Sequence, residues 1–578
     1  MRPSLLSRRL TFMGLCAGLL LSAAGVRAQG IFDAIQGGDL AKVKAVVEAE
    51  PEALKASNHY GQTPLVAALQ AGKPEIAAYL IAGGADVNAR DTANAAPLSY
   101  AITGGFSGIA RMLIERKADI DTPAMWKLRP LAFALEFGRL DIADMLLDKG
   151  VAIPVEPGQE SYRLFFSACS NGFARLADKM LEKGFTIGED QYTRGLPHLA
   201  AAGGSAAIVE KLIQLGFAMN GKNELGWTPL HAAAEKGRSQ VVEILLSHGA
   251  DIDARTLSGK SAYSIAASLG RKDVSDLLKK RGADLSGQKF PVLKGNYLGQ
   301  AEPGDKPQLF ALDIVTDQYM LHGNIVFTPD GREAYWSGTY PSAGSDALDY
   351  QILTMKQEKG VWGPPGLAPF CEIAYQDDCP YVTPDGRRIF FLSRRPLRPG
   401  EPLSDRENIW VAERKGDGWG EPKPVGDEVN ALSVHWQVST DLEGSLYFSG
   451  QDPDGKTMRD IFVSRLENGR YQKPEKLDPA VSSDDLEHSP FIAPDGSYLI
   501  FSRASRQRAQ LGIFISFRTK DGRWGEAVCL NDVIGCPAAT QCTSMTPDGK
   551  HFFYISWGSS NWASYWVKAD FIEKLRPK

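Results

Sequence analysis

An α-helical solenoid followed by an all-β ring of small sheets is the fold class this 578-residue sequence predicts, and two internal periods predict it. A glycine recurs at 32–34-residue steps through Gly38, Gly72, Gly105, Gly138, Gly172, Gly204, Gly237 and Gly270. A Pro-Asp-Gly element, or a variant of it, then recurs at 52–58-residue steps at Pro329, Pro384, Leu442, Pro494 and Pro547. Periods of about 33 and about 50 residues belong to different architectures, so the chain divides before any other reasoning. A composition of 43% hydrophobic and 23% charged residues is that of a globular protein.

The first 28 residues read as a targeting segment. Arg2, Arg8 and Arg9 precede an apolar run from Thr11 to Ala24, and Val26-Arg27-Ala28 offers a small-x-small cleavage site before Gln29. The run is short for a membrane anchor, which is the alternative. Arg8-Arg9 leaves general and twin-arginine export both open. Cleavage would leave 60 basic against 69 acidic side chains, a net charge of −9. With no basic run, nucleic acid is not an expected partner. No later segment is long and apolar enough to cross a bilayer. These features place the protein in the periplasm or outside a bacterial cell. Oxidising conditions there permit disulfides, with Cys371, Cys379, Cys529, Cys536 and Cys542 as candidates and Cys371–Cys379 as the nearest local pair. Without a Cys-x-x-Cys, a zinc-ribbon reading has little support.

In the first half, Pro-Leu pairs (Pro64-Leu65, Pro97-Leu98, Pro130-Leu131, Pro229-Leu230) open short apolar runs. Proline suits the first turn of a helix, where its missing N–H has no partner to lose. The recurring glycine ends that helix in a left-handed conformation. A second helix follows with apolar residues at helical spacing, as in Ile76, Ala77, Tyr79, Leu80 and Ile81. The fullest unit is Gly226-Trp227-Thr228-Pro229-Leu230-His231-Ala232-Ala233-Ala234, then Gly237 and the run Val241 to Leu246. These residues resemble ankyrin repeats, about eight over residues 29–285. The resemblance implies a protein-binding concave face, with specificity in tip residues such as Asp91-Thr92-Ala93-Asn94 and Asn223-Glu224-Leu225. It also implies that His231 and His198 pin turns and that Cys169 is a buried small residue. The Thr-Pro-Leu-His order is lost at Tyr162–Gly172 and scrambled at Leu196-Pro197-His198-Leu199, so looser stacking or altered loops are expected there.

A polar linker over 286–296 leads to a second domain over 297–578. Here Thr-Pro-Asp-Gly turns are each followed by alternating strands such as Arg388–Ser393 and Tyr498–Ser502, then by a third strand and a Trp or Tyr at 362, 419, 471 and 524. A fourth strand begins at Pro364, Pro422, Pro474 and Ala527. Four strands per unit resemble a β-propeller blade, and the repeats are similar to the TolB-like, WD-type repeats of exported bacterial proteins. The last unit lacks its fourth strand, and an orphan strand near 305–315 fits that place. A five-bladed ring closed by this strand is expected, with six blades as the alternative, because an open ring would leave two unpaired edges.

Seven residues before each turn proline, or its equivalent, stand His322, Asp377, His435, Glu487 and Thr540. The next slot holds Gly323, Asp378, Trp436, His488 and Gln541. Propeller geometry puts these slots at one mouth of the central channel. His322, Asp377, Asp378, His435, Trp436, Glu487, His488 and Gln541 are therefore the candidate ligand-binding residues. Such imidazoles and carboxylates suit a polar ligand or a divalent metal; no other cofactor is implied. The sequence has no Gly-x-Ser-x-Gly elbow, no His-Glu-x-x-His and no phosphate loop. The expected function is an exported scaffold that binds a protein through its helical half and a second partner or small ligand through its propeller. A carbohydrate- or peptide-directed hydrolase using Asp377, Asp378 or Glu487 is the alternative.

Overall fold

The computed structural model describes residues 30–58, 60–124, 127–156, 158–187, 195–317, 319, 321–341, 348–451, 459–505, 510–536, 540–557 and 562–577. The targeting segment expected at 1–28 lies outside them. Two compact units emerge: residues up to Gly221 with Arg238–Ala250, and Lys222–Gly237 with Asp251–Lys578.

In the first unit short helices stack in series. Pro64–Gln70, Pro97–Gly104, Pro130–Glu136, Gln159–Ser170 and Leu196–Gly203 form one row. Pro74–Ala82, Ser107–Glu115 and Leu140–Asp148 form part of the second, and Ala174–Glu182, Ala206–Gln214 and Ser239–Ser247 continue it. Prolines open the first-row helices as expected, except Gln159–Ser170, and Thr63 caps one by accepting from Val66 N–H. The recurring glycine has a tertiary reason as well as a local one. At Gly204 (φ 85°) a Cβ would lie only 2.6 Å from the Arg238 side chain, whose Nε donates to the Ala202 carbonyl (2.9 Å). Arg139 reaches Ile102 O in the same way (3.3 Å), so the residue after one glycine ties two repeats together. Each apolar face is thus buried only against its neighbour.

The irregular repeats do not stack loosely. Gln159–Ser170 runs to 12 residues, and Gly203 packs so closely on it that a Cβ would collide with the Cys169 carbonyl. Absence of a side chain at 203 permits the approach. Cys169 is fully buried, and burial pushes its thiol up to about 12, so it acts as a small apolar group.

The second unit contains the Pro229–Glu235 helix packed on Ala262–Ser268. His231 is fully buried at the start of the first. Its Nδ1 accepts from Thr228 N–H (3.1 Å), which fixes Nε2–H as the donor to the Lys260 carbonyl (3.3 Å). Asp313, also buried, accepts from Trp227 Nε1 (2.9 Å) and Ser258 N–H (2.7 Å). Its carboxylate therefore ties this helical segment into the rest of the unit.

The remainder of the unit is a five-bladed β-propeller. The innermost strands of blades one to five are Leu321–Phe327, Asp378–Val382, Ser433–Thr440, Leu486–Ile492 and Thr540–Met545. The outermost are Gly366–Leu367, Lys423–Pro424, Glu475–Lys476, Val528–Cys529 and, for blade five, the early strand Gln308–Leu309. Gln308 pairs with Trp566 and Leu309 with Tyr565, so the ring closes on its fifth blade. Phe310 follows, fully buried, with its ring 5.0 Å from both Phe553 and Trp566. Each second strand is apolar on both faces because each face meets a different blade. Ile389 and Phe391 pack with Tyr335 of blade one, whereas Phe390 and Leu392 share a cluster with Leu446 and Phe448 of blade three. The aromatics at 362, 419, 471 and 524 are inter-blade wedges or edge anchors. Trp419 Nε1 donates to Tyr335 OH (2.8 Å), and Trp362 Nε1 to the Gly295 carbonyl (2.8 Å).

Two outcomes follow. Truncating Phe310 to Ala should destabilise the propeller by about 3–5 kcal/mol through a cavity at the closure, measured as a lower denaturant midpoint of tryptophan fluorescence. Burial pushes the His231 pKa down to about 4, below the ordinary value near 6.5. As pH falls through that window the unfolded chain takes up a proton that the folded chain refuses. Stability is therefore complete above pH 6.5 and lost towards pH 4, by about 2 kcal/mol at pH 5. The urea midpoint of the helical circular-dichroism signal should fall over this range, and His231→Gln should flatten the dependence.

Candidate functional site at the propeller mouth

All five innermost strands break register with their neighbours at the same level. Each break is a β-bulge, where an extra residue re-aims the side chains around it. Four of the bulges hold a non-glycine residue at positive φ: Cys379 (49°), Trp436 (62°), Ser489 (52°) and Cys542 (50°). That backbone is uncommon for such residues and is held by the surrounding sheets.

Blade three departs from the repeat. Its bulge runs from Val434 to Val438 across two residues of the partner strand, whereas the others need one residue fewer. Its hairpin compensates: Asp441 N–H reaches Ser445 O, whereas Thr383 N–H reaches Arg388 O. Counting back from the turn therefore misplaces blade three by one. His435 stands level with Asp378, His488 and Gln541, and Val434 stands level with Asp377 and Glu487.

The structure sorts the eight candidate residues into two groups. Asp377 and Glu487 are fully buried and spent on architecture. Arg395 donates to Asp377 through Nη2 (2.7 Å) and Nε (3.2 Å), and Glu372 N–H adds a third bond (3.2 Å). Arg503 Nε donates to Glu487 (2.7 Å), as does Ser483 Oγ (2.5 Å). Burial pushes the Glu487 carboxyl up, and Ser483 and Arg503 oppose it.

His322, Asp378, His435, Trp436 and His488 come together instead. His322 Nδ1 meets the Asp378 carboxylate directly. Burial works against both charges, yet each charge outweighs it for the other: the imidazole is raised and the carboxyl lowered. The His435 ring lies 6.2 Å from that of His322, and its Nδ1 contacts Glu407 Oε2 at 2.5 Å. Trp436 follows, stacked on His488 at 3.9 Å, with the Arg459 guanidinium 5.5 Å from its ring. Burial, with His435 and Arg459 nearby, pushes His488 down to about 3, so it is neutral across ordinary pH. Gln541 is half-buried at the same level in blade five. The arrangement offers two imidazoles backed by carboxylates, one aromatic face and one guanidinium, which suits a small polar ligand.

Sequence reasoning missed Tyr350, Glu407 and Arg459. Tyr350 packs 4.6 Å from His322. The signal was present: each stands two residues before an isoleucine of a third strand, namely Ile352, Ile409 and Ile461. Aligning third strands as well as turns exposes the slot.

All five disulfide candidates are free thiols. Cys371 packs between blades one and two, and Cys379 and Cys542 sit at bulges. Cys529 is exposed and Cys536 half-buried.

An ankyrin-repeat family model, "Ankyrin repeats (3 copies)", matches residues 31–124 and 197–289. The helical half thus carries ankyrin repeats. Among solved structures, the human ASB11 ankyrin repeat domain matches with 26% identity over 39% of this chain and 100% of its own, at a TM-score of 0.27. No curated protein matches the chain. No helix among the described residues is long and apolar enough to cross a membrane.

The division of labour is testable. Asp377→Ala leaves Arg395 buried without its carboxylate and should cost about 3–5 kcal/mol of stability. Trp436→Ala should cost less, because Trp436 is only partly buried at the open mouth. Urea unfolding of the two variants compares them directly.

Proposed function

We propose that the protein is an exported scaffold of the bacterial envelope. Its ankyrin stack binds a protein partner, and its propeller mouth receives a small polar ligand or a second partner. One observation carries this reading: side chains able to recognise something are displayed on surfaces that the fold itself does not need. At the ankyrin tips, Asp91 Oδ1 accepts from Ala93 and Ala95 N–H (both 2.9 Å), and Asn223 Oδ1 accepts from Leu225 and Trp227 N–H (both 3.0 Å). These bonds hold the loops rigid while Thr92, Ala93, Asn94 and Glu224 face solvent. Rigid loops lose little entropy on binding, which favours recognition. The likeness of the blades to TolB-like, WD-type repeats and the targeting segment at 1–28 support the envelope placement.

The hydrolase reading fits the mouth less well. Arg395 occupies both oxygens of Asp377, and Arg503 and Ser483 occupy those of Glu487, so neither is placed as a free acid or nucleophile.

The test is capture from periplasmic extract on the immobilised full chain. A partner retained by the wild type should be lost with Ala93→Arg or Glu224→Arg and kept with Trp436→Ala. A partner retained equally by both tip variants would overturn the assignment of the ankyrin face.

A further inference from the structure

We infer that the propeller mouth holds a transition-metal ion of the zinc class between the His322 imidazole, the Asp378 carboxylate and the Cys379 thiolate. The inference rests on reading the mouth as a ligand site and is independent of the ankyrin tips.

The three residues each offer a donor atom, and these atoms lie within 4.8 Å of one another. An ion bonded at about 2.0–2.3 Å to three tetrahedral ligands needs donors roughly 3.3–3.8 Å apart. Side-chain shifts of about 1 Å reach that spacing, parting the direct His322–Asp378 contact and drawing in the more distant donor. The backbone explains why adjacent residues can serve one ion. In a regular strand the side chains of 378 and 379 would point to opposite faces. The bulge, with Cys379 at φ 49°, overrides that alternation. Cys379 N–H donates to Asp378 Oδ1 (2.7 Å) and to Ser337 Oγ (3.1 Å), which holds the turn in place. The third donor, His322, comes from blade one, so the ion would join two blades. Gly323 keeps the space open: a Cβ there would strike Ser337 Oγ and lie 3.1 Å from Cys379 Cα.

Donor chemistry selects the metal. One nitrogen, one oxygen and one sulfur suit a borderline-soft ion, and the thiolate excludes magnesium and calcium. Asp378 and Cys379 are almost fully buried while the His322 side chain is 15% exposed, so the channel side gives an entry path. His435 lies beyond these three, its ring 6.2 Å from that of His322 and its Nδ1 held by Glu407, so the fourth position is left to water or a ligand. Loading would release the Cys379 thiol proton and the proton shared by His322 and Asp378 to solvent.

Cobalt(II) is the probe. The full chain, stripped with chelator, should take up one equivalent and develop a thiolate-to-cobalt charge-transfer band in the near ultraviolet, bleached by zinc. Cys379→Ser should abolish the band. His322→Gln should weaken affinity by more than the roughly 10–100-fold that loss of a supporting residue costs. Cys529→Ser, at an exposed thiol, should change neither. A wild-type chain with no such band at saturating cobalt overturns the inference even if a variant misfolds. So does a band that survives Cys379→Ser. Partner capture through the ankyrin tips would be unaffected by either result.

Discussion

Closure of the ring is the constraint on which the propeller depends. A propeller blade is stable only when both its faces are covered and no long edge is left unpaired. Faces are covered by neighbouring blades, so blade one and blade five need each other although they are far apart in sequence. Two residue pairs, Gln308 with Trp566 and Leu309 with Tyr565, supply the missing edge. Their hydrogen bonds are few, and the weight is carried by Phe310, Phe553, Trp566 and Trp336 in one buried cluster. Five independent blades become a ring with a defined axis, and only then does a channel mouth exist.

The mouth is built from a recurring irregularity. Every innermost strand carries a bulge at one level, which turns a side-chain alternation into a convergence. The same carboxylate chemistry then serves two ends. One residue upstream of the bulge, Asp377 and Glu487 face inward within their own blades and meet Arg395 and Arg503. At the bulge, Asp378 faces across to the neighbouring blade and meets His322. A shift of one position separates an architectural ion pair from a site.

The ankyrin half solves a simpler problem. Each repeat touches only its neighbours, so its cohesion is local and repeated. Arg139 and Arg238 each bond a carbonyl of the preceding repeat, and glycine makes room for them. Where the signature residues are missing, Gly203 against the Cys169 carbonyl restores the contact by close approach. His231 pins its turn through a fixed tautomer, at the expense of an imidazole that resists protonation in place.

The helical and all-β halves, the blade count and the closing strand were legible in the sequence because each is a period or the end of one. Proline at 64, 97, 130 and 229 marked helix starts, and the unfilled place after Val567 marked the role of residues 308–310. The wedge role of Trp362 and Trp419 was legible for the same reason. What the sequence did not carry was the sorting of the mouth residues. Asp377 and Asp378 are adjacent and identical in type, and only the bulge decides which meets arginine and which meets histidine. The one-residue shift in blade three was hidden because its longer bulge and shorter hairpin nearly cancel in length. Periodicity, which the chain determines by itself, reports which residues are equivalent; where their side chains point is set by backbone irregularities that exist only once neighbouring blades have closed around them.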